Sequence, residues 1–298
     1  MNQNLIIMPS RLLASLIIVL LFFSFSNIDK KVLSKQLQKK YTFIPSGKVT
    51  VNEKQQSLKG FFMMKSEVSN LDYREFLAFL ERQGKTNELQ IAQIHNKGWQ
   101  IDGVLNEPFV DTYANHPSYN DYPVVNITKE AALLYCKFLK ESINKNNSLK
   151  GYKIKQVRLP LKAEWIMAAK AGKDLVPYPW GGYYIRNSKG CALANFNGLG
   201  SQNITKNYKT GKLEIIEDVF VGKRTFQSTL PVFSFFPNDY DLYNMSGNVA
   251  EMIADEDVAM GGGWNSTGYD VRIESEMPMN DYSCEIGFRP IFIVESLN

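Results

Sequence analysis

The residues that most often carry catalysis or hold transition metals are scarce in this 298-residue chain, which has three cysteines and two histidines. Cys136, Cys191 and Cys284 are too scattered for a zinc-binding spacing, and they allow at most one disulfide. His95 and His116 are not spaced as a metal-binding pair, and two histidines cannot supply three imidazole ligands. The sequence therefore predicts no zinc or iron centre.

A serine nucleophile and a phosphate-binding loop are two further kinds of chemistry that the sequence could offer. Ser266 has Asp270 and Glu274 nearby in sequence, but a catalytic serine needs a base such as histidine held against it. The glycines at 261–263 lack the following lysine and helix of a phosphate-binding loop. We expect a close backbone turn at these glycines, where residues with a side chain do not fit.

The composition indicates one folded domain and excludes nucleic acid as the natural partner. Hydrophobic residues make up 44% of the chain and charged residues 21%, which suffices for a full core. The net charge of +4 is not gathered into a block, whereas a nucleic-acid-binding face needs clustered Lys and Arg.

The N-terminal residues 1–26 have the pattern of a signal peptide. Arg11 precedes an apolar run at 12–25, which is shorter than the ~20 residues of a membrane-spanning helix. Ser24 and Ser26 fit the positions before a cleavage site. Cleavage after Ser26 and retention as a membrane anchor both remain open. Residues 27–40 are polar and lysine-rich, so we predict a linker with little fixed structure and a domain over residues 41–294.

Three helices are predicted from the spacing of apolar residues. The first covers residues 70–83 with Asn70 as its N-cap, the second begins after Thr128, and the third covers residues 161–171. Around the start of the third helix, Arg158 and Glu164 are expected to pair and Trp165 to fill the core. Short strand-like pieces separated by Gly, Pro and Asn make up the rest, which indicates an α+β domain rich in irregular loops.

Nine segments resemble, in order, the signatures of the formylglycine-generating enzyme (sulfatase-modifying factor) family. They are residues 41–47 (YTFIPSG), 61–79 (FFMMKSEVSNLDYREFLAF), 122–139 (YPVVNITKEAALLYCKFL), 157–172 (VRLPLKAEWIMAAKAG), 178–181 (YPWG), 194–198 (ANFNG), 229–251 (TLPVFSFFPNDYDLYNMSGNVAE), 260–264 (MGGGW) and 286–289 (IGFR). The resemblance implies an α+β fold that is a variant of the C-type-lectin fold.

The resemblance also implies a site that this chain has lost. Active members of the family use two cysteines after the glycine turn to hold Cu(I) and oxidise a substrate cysteine, and a soft ion of this kind needs thiolates. Here Ser266 stands at the first position and approximately Val271 at the second, and Gly263 replaces a serine. No catalytic residue and no copper or iron cofactor is therefore expected, and Cys284 has no histidine in its segment to activate it.

The resemblance also implies a calcium site that this chain keeps. The resemblance places structural calcium on the side-chain oxygen of Asn244, the carbonyls of Gly247 and Val249, and the carboxylate of Glu251. Oxygen ligands of mixed kind are what this hard cation takes. The alternative is that Asn244 and Glu251 hold a turn without a metal. A second family site at Asn195, Phe196 and Phe226 is not expected, because Arg224 stands where the family has an aspartate.

Two classes of function follow from the resemblance. The first is a non-catalytic protein of the bacterial cell envelope, a pseudoenzyme that is exported to the periplasm or anchored by its N-terminal segment. Family members without the cysteines include gliding-motility and type IX secretion components, which makes envelope proteins of that machinery, or a peptide, the expected partners. The alternative is an oxidoreductase that acts through an unrecognised site.

Overall fold

A computed structural model describes residues 32–100, 106–146, 149, 151–197, 202–206, 209–217, 228–279 and 281–297. The predicted signal segment at 1–26 and the positions of Arg224 and Phe226 lie outside these ranges. No helix in the described ranges is long and apolar enough to cross a membrane.

The predicted linker is wrong from residue 32 onward. Helix α1 covers Lys35–Lys40, and Ser34 caps its first turn by accepting a hydrogen bond from the Leu37 amide. Leu33 and Leu37 are buried in the main core, and Leu33 pairs with Leu149 as an isolated bridge. Two leucines in a lysine-rich stretch are enough to dock it, because each buried leucine contributes about 1.5–3 kcal/mol. The folded domain therefore begins before Tyr41.

Four antiparallel strands form the main sheet, in the order β1-β4-β12-β5. They are β1 (Tyr41–Ile44), β4 (Phe61–Met64), β12 (Ile291–Ser296) and β5 (Tyr152–Arg158). Strand β4 is central and buried along its whole length, and its Phe62 stacks on Phe292 of β12 with ring centroids 4.9 Å apart. The two ends of the domain are thus joined through β4.

The other strands form a second sheet and two hairpins. The second sheet has the order β10-β9-β8-β11 and contains β8 (Ala250–Met252), β9 (Val258–Met260), β10 (Glu276–Pro278) and β11 (Ile286–Gly287). Only the β8–β11 pair is parallel among these. The hairpins are β2 (Gly47–Val51) with β3 (Lys54–Leu58), and β6 (Gln202–Lys206) with β7 (Leu213–Glu217).

The first two predicted helices pack on one face of the main core, and one predicted cap is wrong. Helix α2 covers Asn70–Arg82, but Ser69 is its N-cap and Asn70 lies inside its first turn. The Asn70 amide donates instead to the carbonyls of Tyr113 and Tyr119. Two short helices follow, α3 (Thr86–Ile91) and α4 (Glu107–Thr112), with 3-10 turns at Asn96–Trp99 and Pro117–Tyr119. Helix α5 covers Lys129–Lys145 and begins after Thr128, as predicted, and the Thr128 side chain caps its first turn.

The third predicted helix, α6 (Lys162–Lys170), is almost wholly buried, with eight of its nine residues inside the protein. Such a helix needs partners for its polar residues. The Glu164 carboxylate accepts two hydrogen bonds from Arg158, at 2.6 and 2.8 Å, and the Lys162 ammonium pairs with Glu256 and Glu276. Trp165 is fully buried in the second core cluster. Both expectations for this segment, the Arg158–Glu164 pair and the core tryptophan, are confirmed.

Candidate functional site

The turn at residues 261–266, called here the serine turn, contains Ser266, which the resemblance puts at the position of the first of the family's two cysteines. Gly261 and Gly262 have φ of +83° and +66°, a left-handed conformation that favours glycine. A Cβ atom added at Gly261 would lie 2.9 Å from the indole of Trp165. The predicted close turn is confirmed, and its glycines are explained by backbone geometry and by contact with the core.

The hydroxyl of Ser266 forms a hydrogen bond within the turn. Its Oγ accepts a hydrogen bond from the Gly263 amide at 3.0 Å, and the side chain is buried. The neighbouring carboxylates are engaged elsewhere: Asp270 accepts from the Thr267 hydroxyl, and Glu274 pairs with Lys170. None of the contacts in the described ranges joins Ser266 to a carboxylate or an imidazole, so the arrangement has no base for a serine nucleophile.

Apolar packing occupies the position assigned to the second cysteine. Val271 is fully buried in a cluster with Tyr178, Ala194 and Phe196. A valine side chain cannot bind a metal. Ser266 and Val271 therefore offer one neutral hydroxyl and one isopropyl group where Cu(I) needs two thiolates, and these residues do not fit copper.

Cys284 is the cysteine that lies against the serine turn. Its carbonyl accepts a hydrogen bond from the indole of the buried Trp264 at 3.0 Å. Burial, with a smaller contribution from Glu285, raises the pKa of the Cys284 thiol to about 12. A thiol in this state is protonated at neutral pH and is a poor nucleophile. Cys136 is buried as well, and all three cysteines are free.

A polar edge borders the serine turn, and the sequence did not predict it. The Asn265 amide donates to the Glu285 carboxylate at 3.1 Å and accepts a weak hydrogen bond from Asn197 at 3.4 Å. Nearby in the chain, Tyr282 stacks on His95 with ring centroids 4.3 Å apart and planes 5° apart. His95 is thus a loop residue that stacks on an aromatic ring.

Directly behind the serine turn lies a fully buried ionic group formed by Glu67, Glu251 and Arg289, called here the charge cluster. The guanidinium of Arg289 donates to both oxygens of Glu251, with a shortest distance of 2.6 Å. Its remaining donors reach the carbonyls of Met64, Lys65 and Tyr243. All five N–H groups of the arginine therefore have acceptors. The indole of Trp165 also donates to Glu251, at 2.8 Å.

Glu67 is the second carboxylate of the charge cluster, and in the part of the chain that the structure describes it makes no ion pair of its own. Its oxygens accept from the side-chain amides of Asn248, at 2.7 Å, and Asn244, at 3.2 Å. Burial raises the pKa of the Glu67 carboxyl to about 8, against the lowering effect of Arg289. Two buried carboxylates thus face one guanidinium, and the excess negative charge must be balanced by a proton or by a cation.

The four predicted calcium ligands lie at the charge cluster, in a different arrangement from the expected one. Glu251 is committed to Arg289 and Trp165, and the Asn244 amide nitrogen points to Glu67 and to the carbonyl of Val232. The Gly247 amide donates to the Gly261 carbonyl, which ties this loop to the serine turn, and Val249 is buried. Because Glu251 is paired with Arg289, these four residues fit a cation only if the Glu67 carboxylate supplies the negative charge. Calcium at this loop stays a prediction.

At the second family site, the structure describes Asn195 but not Arg224 or Phe226. The Asn195 amide nitrogen donates to the Ser228 carbonyl and to Asn248. Its oxygen is buried and has no hydrogen-bond partner in the described part of the protein. In the same ranges, no group of three or more His, Cys, Asp or Glu side chains is placed to hold a metal ion, so a cation here would depend on amide and carbonyl oxygens.

The sequence analysis did not predict that Glu67 and Arg289 belong to a buried ionic group, although both lie inside segments that carried the resemblance. Each is a charged residue in a mainly apolar stretch, Glu67 after FFMMKS and Arg289 within IGFRPIFIV. A charged residue in such a position is seldom exposed and, when buried, needs a partner. That signal could have identified them as a buried pair, but it could not have named the partner.

Comparison with known proteins supplies the family context. The model for the sulfatase-modifying factor enzyme 1-like domain matches residues 30–292. The formylglycine-generating enzyme of Mus musculus is 26% identical over 236 residues, which are 71% of this chain and 51% of that enzyme. The enzyme of Thermomonospora curvata is 39% identical over 99 residues, or 33% and 27% of the two chains. The chain thus spans about half the length of the mouse enzyme and less of the bacterial one.

Solved structures with low sequence identity show the same fold. CarF is 20% identical with a TM-score of 0.50, and the alignment covers 86% of this chain and 98% of CarF. PvdO from Pseudomonas aeruginosa is 18% identical with a TM-score of 0.51, covering 85% and 93%. The predicted α+β variant of the C-type-lectin fold is confirmed.

Proposed function

Because this chain belongs to the sulfatase-modifying factor enzyme 1-like family, we propose that it is a non-catalytic member of that family with a structural or binding role in the bacterial cell envelope. The observation that carries the proposal is the packing of Ser266 and Val271, the residues that the resemblance puts at the first and, approximately, at the second of the two copper-binding cysteine positions. Ser266 is used within its own turn and Val271 within an apolar cluster.

The remaining cysteines do not offer a substitute for the lost pair. Cys284 is the thiol beside the serine turn, and burial holds its pKa near 12. Cys136 lies in the main core on helix α5, where burial likewise raises its pKa to about 12. Binding Cu(I) between two thiolates would require one of these protonated, buried groups to ionise and a second thiol to reach it.

An enzymatic function is the second candidate, and the relatives favour it. The similar proteins of Mus musculus and Thermomonospora curvata are named formylglycine-generating enzymes. An oxidoreductase that acts through a different site would keep the same fold, since sites are grafted onto folds. The half-buried polar edge at Asn265 and Glu285 is one place where such a site would form, because it borders the serine turn.

Export and a place in the envelope follow from residues 1–26, read as a signal peptide or a retained anchor. We infer that gliding or type IX secretion components, or a peptide, are the partners, and that membrane contact is limited to the N-terminal segment if it is not cleaved. Structural calcium at Asn244, Gly247, Val249 and Glu251 belongs to the same proposal.

The decisive experiment asks for the product of the family reaction. Purified protein is incubated with a sulfatase-type peptide, oxygen, a thiol reductant and Cu(I), and the peptide is examined for an aldehyde by mass spectrometry. The Thermomonospora curvata enzyme serves as the positive control. We expect no aldehyde and no stoichiometric Cu(I) bound at a thiol pair. Aldehyde that persists in Cys284→Ala would establish catalysis at an unrecognised site and refute the proposal.

Partner capture tests the envelope role separately. The full chain, cross-linked in cells and purified from the envelope fraction, is expected to bring down envelope proteins reproducibly. Recovery of the protein alone in the soluble fraction would remove the support for a place in gliding or secretion machinery.

A further inference from the structure

Helix α1 is the described element that lies closest in sequence to the proposed membrane anchor. The apolar run ends at Phe25 and the described part of the chain starts at Val32, so the six residues 26–31 separate them. An extended chain spans at most about 3.6 Å per residue, which limits this separation to roughly 25 Å. The headgroup layer takes up about 5–8 Å of that length. Whenever residues 12–25 stay in the membrane, Val32 is therefore held within about 20 Å of the bilayer surface.

This tether is short compared with the domain that it holds. A folded domain of about 260 residues has a radius of gyration of about 18 Å and a diameter of about 45–50 Å. Val32 and Leu33 are each 4% exposed, and Leu33 pairs with Leu149 as an isolated bridge, so the attachment point is fixed to the domain. A point that stays within about 20 Å of the bilayer lies on the half of such a domain that faces the bilayer. Helix α1 begins at Lys35, shortly after this point, and its first turn therefore stays close to the bilayer as well.

The outer face of helix α1 is basic. Leu37 is buried in the main core and holds the helix in place, whereas Lys35 and Lys39, before and after it, are exposed. Residues four positions apart share one face of a helix, so the two lysines lie together on the face opposite Leu37. Neither lysine takes part in an ion pair among the described residues, whereas Lys40 pairs with Asp72 at 2.6 Å. Two ammonium groups are thus presented to the surroundings on one side of the helix.

Both the helix and the sequence before it are complementary to an anionic surface. Residues 27–40 contain five lysines and one aspartate, a net charge of +4, and helix α1 itself contains no acidic residue. Lysines beside a membrane anchor are attracted to anionic headgroups, and each one near the surface strengthens binding about five-fold. The apolar run at 12–25 is too short to span a bilayer as a helix. An electrostatic contact beside this run would therefore strengthen a weak attachment.

We propose that the face of helix α1 with Lys35 and Lys39 docks on the anionic phospholipid surface of the membrane in which residues 12–25 are anchored. The ammonium groups of the two lysines pair with lipid phosphates, and Leu37 stays in the core. Docking restricts the rotation of the domain about its tether, so that the domain presents a fixed side to other envelope proteins. The inference rests on the proposed retention of the N-terminal segment, and it continues the membrane contact of that segment as far as residue 39.

Lysine acylation on vesicles tests the docking. The full chain is synthesised without cells in the presence of vesicles that lack signal peptidase, either phosphatidylcholine alone or with added phosphatidylglycerol. Flotation reports attachment, and an acetylating ester followed by peptide mass spectrometry reports the reaction rate of each lysine. We expect Lys35 and Lys39 to react several-fold more slowly on the anionic vesicles, and Lys189, exposed in the loop at 187–191, to react equally on both. High salt should remove the difference, because it screens exposed charges.

Two matched double variants identify the face that docks. Lys35→Gln with Lys39→Gln is expected to weaken partition onto anionic vesicles more than about ten-fold, whereas Lys97→Gln with Lys189→Gln, which removes the same charge from two exposed positions elsewhere, should change it little. Equal effects of the two pairs would overturn the proposal. Chains that float with the vesicles but show equal lysine rates on both lipids would overturn the docking and leave the anchor standing. Chains that float with neither lipid would overturn the retained anchor, and the docking with it.

Discussion

The charge cluster and the serine turn contact the same tryptophan, but the first is held by buried charged groups and the second by a neutral hydrogen bond. Trp165 donates to Glu251 of the charge cluster and packs against Gly261 of the serine turn. The charge cluster keeps three ionisable groups out of water and satisfies every donor of Arg289. The serine turn is held by the neutral hydroxyl of Ser266, and Val271, which follows it in the chain, packs among apolar residues. The buried charges of this region therefore lie in the charge cluster behind the turn, and the turn itself is held by a neutral hydrogen bond.

The contrast predicts which of the two regions stabilises the fold. A buried ion pair is costly to form and still more costly to break, because the partner left behind is buried and unpaired. Stability is therefore expected to depend strongly on the charge cluster and weakly on the serine turn. A turn that retained chemistry would show the reverse pattern: small effects on stability and large effects on activity.

The largest effect is expected from Arg289→Met. Loss of the guanidinium leaves Glu251 as a buried carboxylate without a cation, and breaking such a pair costs about 3–5 kcal/mol. Urea unfolding measures the loss, and Lys170→Met, which removes the partly exposed pair with Glu274, should cost less than about 1 kcal/mol. A second substitution, Glu251→Gln, should recover part of the loss. Equal effects of Arg289→Met and Lys170→Met would refute a structural role for the cluster.

A pH effect is expected from Glu67, whose pKa rises from 4.5 to about 8 in the folded chain. The folded protein keeps this proton where the unfolded chain has lost it. The group's contribution is therefore fully present below pH 4.5 and declines as the pH rises towards 8. The decline approaches about 1.4 kcal/mol per pH unit. Glu67→Gln should flatten it in urea unfolding measured with a chelator present. Parallel profiles for the two proteins would show that Glu67 is ionised throughout.

Calcium should stabilise the folded chain if it occupies the loop of Asn244, Gly247, Val249 and Glu251. A ligand that binds only the native state adds about 2.7 kcal/mol at 100 times its dissociation constant. Chelation is therefore expected to lower the melting temperature by several degrees. Asn244→Ala should reduce that shift, whereas Asn187→Ala, in a surface loop, should retain it. Superimposable melting curves with chelator and with millimolar calcium would mean that a proton on Glu67 balances the cluster instead.

The smallest effect is expected at the serine turn. Ser266→Ala removes the acceptor of one backbone hydrogen bond from Gly263, and a bond of this kind contributes about 1 kcal/mol. Chemical denaturation of the variant should show that loss with no change in fold. A cost as large as that of Arg289→Met would mean that the turn, too, belongs to the structural scaffold.

The sequence alone determined the local features of this fold. These local features depend on residues that are near one another in the chain. They are the start of helix α5 after Thr128, the course of helices α2, α5 and α6, the pairing of Arg158 with Glu164, and the close turn at the glycines. The order of nine short segments was enough for the family. The resemblance assigned Ser266 from its place directly after the glycine turn, and it assigned Val271 only approximately.

Only the tertiary structure decided how the long-range polar groups are paired. The lysine-rich stretch at 32–40 joined the core through Leu33 and Leu37, and Glu251, read as a calcium ligand, became the partner of Arg289. Glu67 and Asn244 meet across 177 positions of the sequence. Helix and strand periodicity reaches only a few residues along the chain. Which buried charge meets which counter-charge is fixed when the main sheet closes β4 against β12, since desolvation then leaves each group only the partners that packing brings to it.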